Sequence, residues 1–209
     1  MKLYPLNSVV LSFRNNPVSF LNGLTSNDMT APHNAFLNLH GRIIATFDQV
    51  KMSDDEIWIV VANSAAEPLA QHLDRYLKLA GVTMRKRDEK VYFDLDHAAH
   101  LVVSQNEYPS SVSEDEFRLF RLNHNIPLHG VDYADEMILN VGYDFVSFTK
   151  GCYLGQEFVS KVHNRSKPTW KMIVKAEDEC SEEEKARLTS KVFDPQTGKT
   201  LGFVFVKNE

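Results

Sequence analysis

One of the two cysteines of the chain lies in the octet Lys-Gly-Cys-Tyr-Leu-Gly-Gln-Glu at residues 150–157, which has the residue types for thiol chemistry. Cys152 stands between Gly151 and Gly155, which let the backbone turn sharply and another group approach it closely. A helix is predicted to begin just after Cys152, and its first N–H groups carry a partial positive charge. Together with the full charge of Lys150, that favours a thiolate over a thiol. The octet therefore predicts a poised cysteine.

The helix after the octet is predicted from apolar spacing. Over residues 154–164 one face carries Leu154, Phe158, Val159 and Val162. Cys152 precedes this helix and does not belong to its apolar stripe. The ordinary alternative is that Cys152 is a small buried side chain, as free cysteines often are.

The elements that must position this loop begin with a hairpin and a long helix. Residues 41–52 and 57–61 read as two strands joined by a Ser-Asp-Asp-Glu turn. A helix is predicted from Ser64, with Glu67 completing a capping box, to Gly81.

Further strands and helices complete an α+β pattern. Short strands over residues 82–88 and 91–95 are expected, with mixed parallel and antiparallel pairing. A capped helix follows from Ser113, and residues 191–193 pair with residues 201–207 near the end of the sequence. No glycine-rich phosphate loop accompanies the alternating elements, so an α+β fold is favoured over a doubly wound nucleotide fold.

Composition excludes several classes of protein. The chain has 209 residues, 43% of them apolar, and a formal charge of -5 with a pI near 5.9. It therefore lacks the basic field that drives direct nucleic-acid binding. The opening residues have no apolar secretion-signal core, and no run approaches the ~20 apolar residues of a membrane span. Two cysteines fit a reducing compartment, so a cytoplasmic protein without a membrane partner is expected.

A metal site is not expected from the sequence. A conventional iron-sulfur cluster needs about four thiolate ligands, whereas Cys152 and Cys180 are far apart and no Cys-x-x-Cys occurs. A single thiolate could instead hold a cluster fragment transiently, attack a sulfur species or form a mixed disulfide with a partner. The sequence does not distinguish among these three roles of the thiolate.

The octet resembles the signature Lys-Gly-Cys-Tyr-x-Gly-Gln-Glu of the YgfZ-like folate-binding proteins, relatives of the glycine cleavage T-protein, an aminomethyltransferase. Residues 20–28, 41–45 and 121–127 are similar to three further motifs of that family. Together the four stretches span most of the chain.

The resemblance implies a fold in which α+β lobes and a C-terminal β-barrel surround a channel for tetrahydrofolate or a derivative. The folate-binding region would be residues 1–168. Residues 169–209 would form a shortened β-lobe, whose open sheet edge must be covered or paired. The folate-binding residues that the resemblance implies are Asn27, Asn123, Tyr143 and Arg165, and Tyr153 is of a suitable type.

Two departures from the family pattern limit the expected chemistry. Ala45-Thr46 stands where T-proteins have an acidic pair that includes the catalytic aspartate, so aminomethyl transfer is not expected. Asp48, on the same strand face as Thr46, is a possible substitute acid, although an exposed strand aspartate is its ordinary interpretation. Asn123 stands where the family has a glutamate that contacts the pterin.

The resulting hypothesis is a non-catalytic, folate-binding-type accessory protein in iron-sulfur cluster assembly or repair. It would act on assembly or client proteins through Cys152, tuned by Lys150, with radical enzymes that modify tRNA among the beneficiaries. Gln156 and Glu157 would anchor the loop by capping or hydrogen bonding. Two alternatives stay open: a folate-dependent one-carbon transferase using Asp48, and an interaction module whose folate site has decayed.

Overall fold

The computed structural model describes residues 1–97 and 100–208. Within these residues the chain forms eleven strands and six α-helices. In chain order they are β1 Leu3–Pro5, β2 Ser8–Arg14, α1 Pro17–Leu24, β3 His33–Leu37, β4 Ile43–Lys51, β5 Glu56–Ala62, α2 Asn63–Ala80, β6 Thr83–Lys86, β7 Lys90–Asp94, β8 His100–Ser104, α3 Glu114–Asn123, α4 Ile138–Val141, α5 Gln156–Arg165, β9 Trp170–Ala176, α6 Glu182–Arg187, β10 Thr189–Asp194 and β11 Lys199–Lys207.

The central layer is a five-stranded sheet in the order β3-β4-β5-β2-β6, with antiparallel neighbours throughout. Side chains alternate between its two faces with a period of two. The odd-numbered apolar residues of β2 and β5, such as Leu11 and Ile59, pack with Leu69 and Leu73 of α2 in one core cluster. That face is therefore closed by helices, and the even-numbered residues face the other way.

A second sheet covers part of the opposite face. It has the order β1-β7-β8 and is antiparallel. Val10 and Val60 from the central sheet pack against Val91 of β7. Phe117 of α3 packs on Phe93 with ring centroids 5.5 Å apart, which fixes α3 on this second sheet.

The C-terminal strands form a three-stranded antiparallel sheet in the order β10-β11-β9. Its apolar residues Met172 and Phe203 share a core cluster with Leu37, Tyr133 and Val159. Among the described strands, β9 and β10 each pair with β11 alone, as in a reduced, open β-lobe. The division of the chain at residue 168 stays a prediction.

The α+β class is confirmed, and three details of the expectation are corrected. The hairpin of β4 and β5 and the long helix α2, ended by left-handed Gly81, form as predicted. Ser64 does not cap α2, because the helix begins at Asn63 and Ser64 therefore lies inside its first turn. The pairing of the described strands is antiparallel rather than mixed. Strands β6 and β7 belong to different sheets rather than to one local pair.

Candidate functional site

Gly155 fixes the loop that carries the octet. It is the N-cap residue of α5 and has a φ of 87°, in the left-handed region that favours glycine. A Cβ on Gly155 would lie 2.5 Å from the backbone oxygen of Asn38, in the turn between β3 and β4. The close approach expected of this glycine is therefore present. Gly151 is not so constrained, since a Cβ there would meet nothing within 4 Å.

The two cysteines have opposite environments. Cys152 is exposed, and it lies in the loop three residues before the N-cap Gly155. It is thus farther from the helix N-terminus than the sequence suggested, and the helix field falls off within about one turn. Cys180 is buried and its Sγ donates to the Ala176 carbonyl at 3.3 Å. Burial raises the pKa of the Cys180 thiol.

The amine of Lys150 is directed at another loop of the fold. Its Nζ donates to the backbone oxygens of Thr25 at 2.8 Å and Asn27 at 2.7 Å. It also lies 5.4 Å from the centroid of the Tyr153 ring. Burial lowers the pKa of Lys150 to about 8, and the charge of Asp28 opposes that shift. Lys150 therefore joins the octet to residues 25–27, and its effect on Cys152 stays a prediction.

Asn27 ties that second loop to the rest of the fold. Its Nδ2 donates to the His33 oxygen at 3.0 Å and to the Asp144 oxygen at 2.8 Å. Its backbone N–H donates to Oδ1 of Asn34 at 2.7 Å. Asn27 is buried, and its side-chain amide donates to backbone oxygens of two other segments. It therefore holds residues 25–27 against His33 and Asp144.

A cavity of about 370 Å³ opens on the face of the central sheet opposite α1 and α2. Thr46 and Asp48 of β4 and Val60 and Ala62 of β5 contribute to its floor, as the period of two requires. Other walls come from residues 124–129, 141–142 and 144–145, and from Phe93 and Leu101 of the second sheet. The volume lies at the lower end of the ~300–1,000 Å³ range of small-molecule pockets.

The polar part of the cavity wall contains a carboxylate and an imidazole in contact. His33 Nδ1 lies 2.5 Å from Oδ1 of Asp48, across the β3–β4 pair. This hydrogen bond raises the pKa of His33 above its usual value, and the charge of Asp144 adds to the effect. Asp48 is therefore a partly covered wall residue and not an ordinary exposed strand aspartate, its side chain being 38% exposed.

A second polar group on the wall is built around Thr46. Its Oγ1 lies 2.8 Å from the Tyr133 hydroxyl, and its backbone N–H donates to Nδ1 of His129 at 3.2 Å. The His129 and Tyr133 rings are stacked, 5.4 Å apart and 8° from parallel. Burial lowers the pKa of His129 and raises that of Tyr133. Since Nδ1 of His129 accepts a hydrogen bond, its proton is on Nε2.

The residues implied to bind folate lie outside this wall. Asn123, Tyr143 and Arg165 are exposed, and Asn27 and Tyr153 are buried elsewhere. None of these five is among the described residues that line the cavity. Tyr153 belongs to the core cluster around Leu37, and burial raises its pKa to about 12. A role for these side chains in ligand binding stays a prediction. The side chains that line the cavity are different ones.

The anchoring role of Gln156 and Glu157 likewise stays a prediction. Glu157 is exposed and Gln156 is half-buried. The loop is held here by a backbone hydrogen bond, in which the Gln156 N–H donates to the Tyr153 oxygen at 3.2 Å. Cys152 is not among the residues that line the cavity. The octet and the cavity are instead linked through Lys150 and Asn27, whose amide binds the backbone of cavity residue Asp144.

Sequence reasoning missed His33, His129 and Tyr133. Asp48 and Thr46 were indicated by their shared strand face, whereas His129 and Tyr133 come from an irregular segment with no periodic signal. Within residues 1–97 and 100–208, no group of three His, Cys, Asp or Glu side chains is placed to hold a metal ion. Over the same residues, no helix is long and apolar enough to cross a membrane.

The comparison with protein-family models gave no match. The chain resembles the crystal structure of the glycine cleavage system aminomethyltransferase T from Bartonella henselae with a TM-score of 0.68. The two are 11% identical, and the match covers 98% of this chain and 78% of the other.

A shorter match connects the chain to the "iron-sulfur cluster assembly factor IBA57 homolog, mitochondrial" of Dictyostelium discoideum. The two are 43% identical over 58 residues, which is 24% of this chain and 14% of that protein. The chain thus aligns with a small part of that relative's length. Together, the structural match and this shorter sequence match confirm that the chain has a YgfZ-like fold related to that of the glycine cleavage T-protein.

Proposed function

We propose that this protein is an accessory factor in iron-sulfur cluster assembly or repair that acts through Cys152 and binds a folate-type ligand in the cavity. The family signature around Cys152 and the similarity to a named cluster assembly factor support the proposal. Its partners would be assembly or client proteins, and radical enzymes that modify tRNA would be among the beneficiaries.

The observation that carries the proposal is the exposure of Cys152 in a firmly positioned loop. The buried alternative applies to Cys180 and not to Cys152. Gly155 and Lys150 attach the loop on both sides, so the thiol is presented at a defined place without being covered. An accessible thiol of this kind can exchange with a partner's sulfur species.

The cavity supports the ligand part of the proposal. Aromatic rings from Phe93 and Phe145 line it, and the Asp48 carboxylate can accept N–H donors from a heterocycle. These residues fit the pterin part of tetrahydrofolate or a derivative. Calorimetric titration with tetrahydrofolate tests this part, and an absence of binding would favour an interaction module whose folate site has decayed.

Complementation tests the role of the thiol. In cells that depend on this protein, Cys152→Ser is expected to lower the activity of cluster-dependent enzymes to the level without the protein. The matched control is Cys180→Ala, which removes the other thiol and costs about 1 kcal/mol of stability, yet is expected to complement. Full complementation by Cys152→Ser, with Cys180→Ala equally active, would exclude a function of the exposed thiol.

The same cells also test the cellular compartment of the protein. We keep the cytoplasm as the proposed compartment, while the name of the similar Dictyostelium discoideum protein places that protein in mitochondria. Cell fractionation distinguishes the two.

A folate-dependent one-carbon transferase is the second candidate. The observation that favours it is the placement of Asp48 in the cavity wall, in contact with His33. A carboxylate in this position could orient or deprotonate a folate amine. This candidate predicts turnover of an aminomethyl or methyl donor with tetrahydrofolate, which Asp48→Asn abolishes.

A further inference from the structure

The exposed surface that follows the octet differs in charge from the rest of this acidic protein. Residues 147–171 contain five lysine or arginine side chains and a single acidic one, Glu157, whereas the whole chain has a formal charge of -5. Lys161 and Arg165 are exposed on α5, and over the described residues neither forms an ion pair. The surface around α5 is therefore positive although the protein as a whole is negative.

Exposed apolar side chains lie on the same face of α5. Phe158, Lys161 and Arg165 are spaced i, i+3 and i+7, so they share one side of the helix. Phe158 is 39% exposed and lies against the β3–β4 turn, since a Cβ on Gly41 would be 3.2 Å from its Cδ1. The same turn presents Leu39, which is 69% exposed. We call the side chains of Leu39, Phe158, Lys161 and Arg165 the α5 patch.

The α5 patch and the exposed thiol belong to one packed unit. Cys152 lies three residues before Gly155, the N-cap of α5. His163 of α5 stacks on Phe148, in the loop that leads into the octet, with ring centroids 3.8 Å apart. The helix, the β3–β4 turn and the loop of Cys152 are thus held together, so a partner segment docked on the patch can place its own sulfur at Cys152.

We propose that the α5 patch docks an acidic segment of the assembly or client protein, that an apolar side chain of this segment packs on Leu39 and Phe158, and that the contact brings the partner's sulfur species to Cys152. Charge complementarity supports the acidic partner, because the unpaired cations Lys161 and Arg165 flank the apolar area. The inference rests on the proposed function for the role of the thiol. It gives Arg165 to a partner protein rather than to the cavity, which Arg165 does not line.

The composition of the patch favours a protein over a nucleic acid as its occupant. Nucleic-acid backbones are bound by neutralising several phosphates with a set of cations. The α5 patch combines two cations with two exposed apolar side chains, Leu39 and Phe158. Apolar and aromatic side chains at the centre with charges around them are typical of protein–protein interfaces.

Thiol–disulfide exchange with two peptides tests the proposal on the unaltered protein. Both peptides carry a leucine and a cysteine held as a 2-thiopyridyl disulfide, and they differ in having aspartates or lysines around these residues. The Cys152 thiolate attacks the peptide sulfur, a new disulfide forms, and pyridine-2-thione leaves, whose absorbance gives the rate. Each rate is divided by that of 2-mercaptoethanol with the same peptide, and Cys152→Ser gives the background.

The aspartate peptide is expected to react about tenfold or more faster than the lysine peptide at low ionic strength. At about 1 M salt, where the Debye length is about 3 Å, the ratio should fall below about threefold. Equal normalised rates at low ionic strength, or a faster lysine peptide, would overturn the proposal. This comparison does not depend on a variant that must fold.

Charge reversal locates the effect. The double variant Lys161→Glu/Arg165→Glu is expected to remove the preference for the aspartate peptide, while the neutral reagent 2,2′-dithiodipyridine still reacts with Cys152. The control Arg85→Glu/Lys86→Glu makes the same change in net charge on exposed residues of β6, at the opposite edge of the central sheet from β3, and should keep the preference. If both double variants keep the preference, the partner does not dock on the α5 patch.

The apolar part of the patch has its own test. Leu39→Ser is expected to slow the reaction of the aspartate peptide by about threefold or more, because apolar burial is lost. Leu79→Ser is the control, since Leu79 is 86% exposed on α2. Replacing the leucine of the peptide by serine should slow the unaltered protein to the same extent. A rate that depends on neither leucine would contradict the apolar contact.

Two further outcomes separate this inference from its alternatives. A uridine oligonucleotide that binds the unaltered protein at about 0.15 M salt, but not Lys161→Glu/Arg165→Glu, would show a nucleic-acid site and overturn the proposal. If the peptide preference is found while Cys152→Ser complements fully, the docking surface stands and the thiol function is wrong. If Cys152→Ser fails to complement while the two peptides react equally, the thiol function stands and the docking surface is wrong.

Discussion

Lys150 combines a half-buried amine with two backbone acceptors, and its protonation should therefore affect stability in a defined pH interval. Burial lowers the pKa of Lys150 from 10.5 to about 8. Between those values the unfolded chain binds more protons at this group than the folded chain, so the group makes the free energy of unfolding rise with pH. A neutral amine still has two N–H donors for the oxygens of Thr25 and Asn27. We expect the stability difference between the unaltered protein and Lys150→Met to increase through this interval, as measured by urea unfolding.

The same variant has an expected effect at neutral pH. Lys150→Met removes the Nζ donor to the Thr25 oxygen and one of the donors to the Asn27 oxygen, which Asn34 Nδ2 also contacts. This should cost about 1–3 kcal/mol. Lys161→Met is the control, since Lys161 is exposed on α5 and should show neither the loss nor the pH dependence. A difference between the unaltered protein and Lys150→Met that stays constant with pH would contradict the lowered pKa.

At the scale of elements, the contact between α5 and the β3–β4 turn should determine whether the octet keeps its place. Gly155→Ala puts a Cβ into a left-handed residue and 2.5 Å from the Asn38 oxygen, so the turn or the helix must shift. We expect a loss of more than about 2 kcal/mol in the free energy of unfolding. Gly151→Ala is the matched control within the same octet, because its Cβ would meet nothing within 4 Å. Equal stability of the two variants in urea would contradict this account of the loop.

The elements that the sequence predicted are those with local signals. The α2 helix has its apolar spacing and its terminal Gly81, and the β4–β5 hairpin has two apolar strands around a polar turn. The separation of β6 from β7 could not be predicted in this way, because β6 pairs with β2 and β7 with β1, both distant in sequence.

The candidate site was predictable in its octet and in the shared strand face of Thr46 and Asp48. The exposed Cys152 and the constrained Gly155 follow from residue types within eight positions. The cavity wall, in contrast, joins His33, Asp48 and His129, which come from two strands and an irregular segment. Their proximity depends on strand register and on loop packing, and neither has a signature in the local sequence.

At the scale of the whole molecule, one buried ion pair connects α3, the cavity wall and the C-terminal sheet. Arg121 Nη1 lies 2.7 Å from Oδ2 of Asp132, and both side chains are almost completely buried. Asp132 also accepts from the Leu128 N–H at 2.8 Å and from the hydroxyls of Thr189 and Ser190 in β10 at 2.8 and 2.5 Å. The carboxylate is thus shared by the segment that carries His129 and by the β-lobe.

Removing the cation should therefore loosen three regions together. Arg121→Met leaves the Asp132 charge buried without its partner, and we expect a loss of about 3–5 kcal/mol in the free energy of unfolding. Arg118→Met, one turn earlier on α3, removes a surface ion pair with Glu114 and should cost less than about 1 kcal/mol. Urea unfolding measures both losses, and hydrogen exchange shows whether residues 124–133 and β10 lose protection together. If Arg121→Met lowers protection in α3 alone, the ion pair does not couple the cavity wall to the C-terminal sheet.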